Sequence, residues 1–298
     1  MSIRPELKNL PVHTFENFSR EKNDFSIRSF SEMGSLSRTP FPHRHAFYEI
    51  IYIKHGEGTH IIDFEAYPIT SGSIYLFSPE QIHFWQLIKP LEGSSIKFSE
   101  NFLLFSPSEL NLIDYLDFFH NTEYQPNIIL SEGQGEEIDY LFNQMAKEYK
   151  SDGYVRDMKI RSYLIILLIE IQRIFMAGIN KRDVIRGSSL ISLFKKMVSN
   201  KFLTQRSVAY YADKLGVSEA HLYELVKQNT GLTPGQIIKK EIALEAKRQL
   251  VHTDNTIAEI GYKLYFNDPS YFGRFFKRET GLSPKSFRSQ IREKYQIL

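Results

Sequence analysis

Asp268-Pro269-Ser270-Tyr271-Phe272-Gly273-Arg274-Phe275-Phe276-Lys277, followed by Thr280-Gly281-Leu282-Ser283-Pro284 and Phe287-Arg288, decides how the C-terminal third of this chain folds. It reads as a helix start, an amphipathic helix and a helix stop. Asp268 is an N-cap residue, and Pro269 sits at the first helical position, where a missing N–H is no loss. Phe272, Phe275 and Phe276 share one face at helical spacing. Gly281 stands where a helix C-terminus takes a left-handed residue.

The same grammar occurs earlier in the chain. Residues 222–234 match 272–284, including Lys227/Lys277 and Thr230-Gly231-Leu232-Thr233-Pro234. Upstream of that, residues 208–218 match 257–267 at an offset of 49, whereas the later stretch matches at 50, so the second copy holds one extra residue in its turn. Each copy opens with a short helix whose apolar face is Val208, Tyr211, Ala212 and Leu215, or Ile257, Ile260, Gly261 and Leu264. Ala212 and Gly261 hold the same repeat position, where a small side chain lets the next helix cross closely. Ser218 caps the second helix of copy one as Asp268 does in copy two. Between the copies, residues 234–251 read as one helix carrying Ile237, Ile238, Ile242, Leu244, Ala246 and Leu250. At about 1.5 Å per residue it spans roughly 27 Å, close to the roughly 34 Å turn that separates successive major-groove faces of DNA. Two linked helix-turn-helix units are expected.

Charge agrees with that expectation. The chain carries a net +2, but residues 188–298 hold 18 Lys and Arg against 10 Asp and Glu, a net +8, while residues 1–187 stand at −6. A basic half points to a nucleic-acid partner. The 298 residues contain no cysteine, which excludes disulfides, thiolate metal sites and a cysteine nucleophile. Residues 1–10 have no apolar signal-peptide core, and the most apolar run, 164–169, is far below the roughly 18 residues of a membrane span. A cytoplasmic protein without membrane association is expected.

On these residues, 190–298 resembles the DNA-binding domain of the AraC/XylS family of transcription regulators. The phenylalanines, with Leu222, Leu225 and Val226 in copy one, are spaced for the core. Glu219, Ala220, Tyr223 and Glu224 in copy one, and Pro269, Ser270, Gly273 and Arg274 in copy two, form the face free to meet DNA. Arg274 suits a guanine edge; Lys227, Lys277, Arg278 and Lys285 suit phosphates. Two positions depart from the resembled pattern. Glu224 stands where a basic or neutral reader is usual, so copy one is expected to bind DNA more weakly. Tyr265 replaces the usual turn glycine; holding it left-handed costs on the order of 1 kcal/mol, so a differently shaped turn is expected.

The N-terminal half reads differently. Between Phe25 and Phe98, β-branched and aromatic runs bounded by Gly and Pro predict a β-sandwich or barrel. His43, His45 and Glu49 fall two or four residues apart and so on one side of a strand; His83 follows Gly72 and Pro79. This spacing resembles the paired motifs of the cupin superfamily, and the AraC/XylS resemblance implies that such a barrel senses a small effector. The candidate effector-binding residues are His43, His45, Glu49, Tyr52, His83 and Trp85, which suit a small polar organic molecule. No metal or other cofactor is expected; if a divalent metal binds, His43, His45, Glu49 and His83 are its ligand set. His60 and His120 read as structural or surface residues. Helices are predicted over 136–150 and 156–176, the second with an apolar face (Ile160, Leu164, Leu167, Leu168, Ile171, widened by Ile165, Ile166 and Ile169) broad enough to suggest homodimerisation through Leu164 and Leu168.

The fold class is therefore α+β: a cupin-like effector-binding and dimerisation domain over 1–176, a linker over 177–189, and an all-α domain with two helix-turn-helix motifs over 190–298. The function expected is an effector-controlled, sequence-specific regulator of transcription, an activator with RNA polymerase as partner by resemblance, and not an enzyme. The competing readings are a metal-dependent cupin enzyme with an appended helical domain, and a dimeric module acting only through protein partners.

Overall fold

The computed structural model describes residues 12–14, 24–34, 42–104, 112–120, 126–178 and 188–294. They form two compact units that divide between Val184 and Ile185, a position that lies, with most of the linker read at 177–189, outside the described residues. No described helix is long and apolar enough to cross a membrane.

The first unit is built on eight strands: β1 (Val12–His13), β2 (Phe25–Ser29), β3 (His43–His45), β4 (Tyr48–Ile62), β5 (Glu65–Pro68), β6 (Ser73–Phe77), β7 (Ile82–Phe98) and β8 (Asn127–Ile129). They join in the order β1-β3-β7-β4-β6-β8, with β2 on β7 and β5 on β4. The long antiparallel pair β4–β7 is its spine. Its register runs regularly from Tyr48↔Phe98 to Ile53↔Gly93, shifts three times between Ile53 and Gly58, and resumes from Thr59↔Gln86 to Ile62↔His83. Such irregularities bend a strand and increase its twist. They let the sheet roll over an inner core of Ile51, Ile53, Ile62, Tyr75, Phe77, Trp85 and Leu91.

The outer face of the same sheet carries a second core. Tyr48, Ile50 and Tyr52 project there and meet helices α1 (Glu132–Tyr149) and α2 (Arg156–Gly178) through Phe142, Met145, Leu164, Leu168 and Ile171. α1 begins one turn earlier than the sequence predicts, because Ser131 and Gln134 close a capping box ahead of Gly135. The apolar face of α2 requires a correction. Leu164 and Leu168 are fully buried inside this unit and face α1 and the sheet, so they are not available to a second copy. The apolar side chains that α2 leaves outside are Met158, Ile166 and Ile169.

The second unit is helical: α3 (Ser188–Lys201), α4 (Val208–Lys214), α5 (Glu219–Thr230), α6 (Pro234–His252), α7 (Ile257–Lys263), α8 (Pro269–Thr280) and α9 (Pro284–Lys294). The pairs α4–α5 and α7–α8 are the two repeat copies, and α6 links them. Gly231 and Gly281 close α5 and α8 in left-handed conformation, each donating to the carbonyl four residues back. The turn in copy two corrects the sequence reading. Tyr265 adopts φ +57°, beside φ +68° at its counterpart Gly216. Both turns close alike, Val217 donating to Ala212 and Phe266 to Gly261. The turn thus keeps its shape and carries the strain of a left-handed tyrosine, and the extra residue falls after it, at Asn267. The C-terminus of α6 and the turn after it are held by α9: Arg288 donates to the carbonyls of Leu250 in α6 and Asn255 beyond it, and Arg292 to those of Val251 in α6 and Thr253, its C-cap. Cations suit a helix C-terminus, where carbonyls lack intrahelical partners.

Replacing Leu168 by Ala leaves a cavity between α2 and the sheet. It is expected to destabilise the first unit by about 2–5 kcal/mol while leaving the unfolding of the helical unit in place. Differential scanning calorimetry of the full chain, read as two transitions, checks this.

Candidate functional site

The DNA-facing candidates lie where the repeat predicts. Ser218 Oγ accepts from the His221 amide at 3.2 Å, and the Asp268 carboxylate accepts from the amides of Ser270 and Tyr271 at 2.8 and 3.2 Å, so each capped helix presents its first turn outward. In α5, Leu222 and Val226 are buried, while Glu219, Ala220, Tyr223, Glu224 and Lys227 are exposed. In α8, Phe272, Phe275 and Phe276 are buried; Ser270, Arg274, Lys277 and Arg278 are exposed, as is Lys285 in α9, and Pro269 and Gly273 are half-exposed. Leu225, expected in the core, is only partly buried. The face also includes His221, Gln228 and Tyr271, which the sequence reading did not select; their spacing between buried positions was the available signal. Arg274 extends between its own N-cap, 3.8 Å from Asp268, and the Tyr271 ring, 6.0 Å away. Neither partner is buried, so the guanidinium stays available to a ligand. The two faces differ in sign: α8 brings Arg274, Lys277 and Arg278, whereas α5 sets Glu219 and Glu224 beside Lys227.

The interior of the rolled sheet holds a polar cluster. His43 pairs with His83 across β3 and β7, and the ligand atoms of His43, His45 and His83 lie within 4.8 Å of one another, all buried. His45 Nε2 is 2.7 Å from His83 Nε2, and His83 Nδ1 is 2.9 Å from His60 Nε2. His45 Nδ1 faces Glu49 Oε2 at 3.4 Å. Glu49 Oε1 accepts from Ser95 Oγ at 2.5 Å and lies 3.7 Å from Lys97 Nζ. His60 stacks on Trp85 with centroids 3.4 Å apart.

Proton bookkeeping orders this chain. Burial holds His60 and His83 well below the usual imidazole range, with neighbouring histidines adding to the effect, so both are neutral near pH 7. A neutral imidazole has one N–H. If His45 directs its proton at Glu49, then His83 donates through Nε2 to His45 and His60 donates through Nε2 to His83. The reverse order would turn a bare nitrogen of His45 toward a carboxylate. The assignment is therefore Glu49 ← His45 ← His83 ← His60, inferred from heavy-atom geometry. Burial also lowers the Lys97 ammonium, against the attraction of Glu49.

Of the predicted effector residues, the structure brings together His43, His45, Glu49, His83 and Trp85, and does not include Tyr52. The Tyr52 ring packs on Phe142, and its hydroxyl is directed at the Gly135 carbonyl on the outer face. It stands three residues from Glu49 in a regular stretch of ladder, and odd separations face opposite sides. His60, read as structural, joins the cluster, with Ser95 and Lys97. His120 lies in a short helix, Asp117–His120.

A sheet rolled around polar groups, in one chain with paired helix-turn-helix units, defines a two-part DNA-binding regulator. The family model described as "AraC-like ligand binding domain" matches residues 27–168, and that described as "Helix-turn-helix domain" matches residues 211–290. The chain belongs to the AraC family of transcriptional regulators. It is similar to the proteins named HTH-type transcriptional activator RhaS of an Enterobacter species and of Pectobacterium carotovorum, each 24% identical over 259 residues, covering 85% of this chain and 89% of the relative. Among solved structures, fatty-acid-bound ToxT from Vibrio cholerae aligns with 91% of this chain and 97% of its own at 14% identity, with a TM-score of 0.39, a likeness too distant to bear on ligand or mechanism.

Because His60 and His83 are neutral in the fold, the unfolded chain binds more protons once pH falls below about 6.5, the ordinary imidazole value. Their contribution to stability is fully present above that pH and is lost on acidification. The melting temperature of the sheet unit is expected to fall between about pH 7.5 and 5.5, and a His60→Phe variant to flatten that dependence; thermal unfolding monitored through Trp85 fluorescence checks both.

Proposed function

We propose that this chain is a transcription activator that binds duplex DNA as a homodimer, through both helix-turn-helix units, under control of a small polar organic effector in the rolled sheet. The observation that carries the reading is the pair of capped recognition helices, each burying one apolar face and exposing a polar one, in a segment of net charge +8. Arg274 is assigned to a base edge; Lys277, Arg278 and Lys285 to phosphates. α5, with Glu219 and Glu224 outward, supplies less of the affinity and more of the selectivity against misplaced phosphates. Activation is supported by the names of the relatives and implies a contact with RNA polymerase. The place of action is that of the DNA, in the cytoplasm.

The effector residues are His43, His45, Glu49, His83 and Trp85, with His60, Ser95 and Lys97 added from the geometry. This set offers a carboxylate, an ammonium, a hydroxyl and imidazoles around one indole, chemistry suited to a hydroxylated or zwitterionic metabolite. A metal fits less well. Two imidazole nitrogens bound to one ion at about 2.0–2.1 Å each must stand further apart than a hydrogen bond, whereas His45 and His83 are 2.7 Å apart, and one oxygen of Glu49, Oε1, is engaged by Ser95 and Lys97. The reading therefore uses these groups as hydrogen-bonding partners and routes nothing through a metal. Dimerisation is assigned to the side of α2 that carries Met158, Ile166 and Ile169, exposed at helical spacing.

The full chain is expected to bind duplex DNA with an affinity that falls steeply with salt, by a log–log slope of about −0.9 per phosphate neutralised. Arg274→Ala is expected to cost about 1–3 kcal/mol and relax sequence preference, whereas Lys277→Ala weakens all sequences alike and reduces the slope by about 1. Fluorescence anisotropy over a salt series, on duplexes selected from a random library, distinguishes them; salt-independent or absent binding overturns the reading. Independently, Ile166→Glu with Ile169→Glu is expected to give folded monomers by light scattering, and an unchanged dimer overturns the assignment of that face.

A further inference from the structure

The two helix-turn-helix units are joined covalently by α6 alone, yet a second connection runs between them through one side chain. Arg206 lies in the segment between α3 and α4, two residues ahead of the first helix-turn-helix pair α4–α5. Its Nη2 donates to the carbonyl of Leu264, at the end of α7 in the second pair α7–α8, and its guanidinium lies 4.6 Å from the Phe266 ring centroid. Leu264 is the C-cap of α7, where carbonyls are left without helical donors and a cation is favoured. The carbonyl gripped is that of the peptide leading into Tyr265, the single described non-glycine residue of the helical unit with positive φ. Phe266 is buried and packs at 5.3 and 5.1 Å on Phe272 and Phe275, the residues that seat α8. A continuous path thus leads from Arg206 through the strained turn to the second recognition helix. A planar guanidinium suits the position because it stacks and donates at once.

We propose that Arg206 is a positioning residue: it fixes α8 relative to α5, so that both recognition helices meet one duplex at a single spacing. This rests on the DNA-binding reading for its purpose, but not for its test, because the geometry it sets exists without DNA. The left-handed Tyr265 is the consequence on the other side of the contact, a strained turn that the neighbouring unit holds in place.

The chain has no cysteine, so spin labels at Gln228→Cys in α5 and Lys277→Cys in α8, in labelled chain diluted into excess unlabelled chain so that a dimer holds one labelled protomer, report a single intramolecular distance by pulsed electron–electron resonance. The full chain with Arg206 intact is expected to give one narrow distribution. Arg206→Ala is expected to broaden it about twofold, as an interface freed to hinge would, with Arg206→Lys intermediate. Tyr265→Gly added to Arg206→Ala separates two roles: if it restores the narrow distribution, Arg206 serves only the local turn and the proposal falls. An unchanged distribution in Arg206→Ala also overturns it. Should that variant lose its helical circular dichroism, Arg206→Gln is read in its place by the same criteria. On a duplex carrying both half-sites, Arg206→Ala without the label substitutions, so with Gln228 and Lys277 intact, is expected to lose its preference among half-site spacings while keeping the salt slope of the unaltered chain; absence of any duplex binding by the unaltered chain would instead count against the DNA-binding reading and leave the distance result standing.

Discussion

The break in the β4–β7 ladder between Ile53 and Gly58 governs what the first unit can be. Without it, two strands of this length would run on as one ribbon, and Ile62 beyond the break would fall on the face opposite Ile51 and Ile53. With three register shifts in six residues, the second half of β4 is turned over the first. Tyr75, Phe77 and Trp85 can then close on Ile51 and Ile53, and the other face is left broad enough for α1 and α2. The polar cluster depends on the same break, since Glu49 lies on one side of it and His60 and His83 on the other.

In the helical unit the governing constraint is how a capped helix, seated by Leu222 and Val226 in copy one and by phenylalanines in copy two, is held while its opposite face stays free. The two copies solve this with the same hydrogen bonds, down to the amide that closes each turn. They differ in what surrounds them. Copy one has Gly216 at its left-handed position; copy two has Tyr265, with Arg206, from the segment ahead of copy one, on the preceding carbonyl. At the far end, Arg288 and Arg292 hold the last carbonyls of α6. Arginines thus meet carbonyls left without helical donors at the ends of α6 and α7.

Most of the second unit was legible in sequence because its determinants are local. Caps, C-terminal glycines and 3.6-residue periodicity act over a few residues, and the repeat let each copy check the other. What failed was context: nothing near Tyr265 announces an arginine almost sixty residues away, so a strained turn was read as an altered one. In the first unit the strands and the histidine pair His43/His45 were legible by alternation. Tyr52, counted among the effector residues from sequence, is ruled out by that same alternation, since it is an odd number of residues from Glu49 with no shift between them. His60 was not legible at all. It is eleven residues from Glu49, an odd separation that unbroken pleating would place on the opposite face, and only the shifts at 53–58 bring it round. Leu164 and Leu168 were assigned to a partner copy because an apolar helix face does not say what covers it; here α1 and the sheet do.

The inner cluster is hard to explain as a device for stability. A buried carboxylate and ammonium lose hydration that their mutual attraction seldom restores, and an apolar replacement of similar volume is often as stable or more so. Two imidazoles kept neutral by burial, His60 and His83, add a further cost on acidification. The proton order Glu49 ← His45 ← His83 ← His60 runs in one direction, from a 3.4 Å approach of His45 Nδ1 to Glu49 Oε2 through two hydrogen bonds between rings to a last ring stacked flat on Trp85. A ligand that takes a hydrogen bond from His83 or offers one to Glu49 would have to reverse or break that order, and the change would pass along β3, β4 and β7 together because all four groups sit on those strands. Glu49 lies next to Tyr48 and Ile50, whose side chains are part of the seat of α1 and α2 on the outer face. A polar interior one residue removed from the helix-bearing face is therefore the kind of coupling that lets occupancy inside the sheet be felt on the surface outside it.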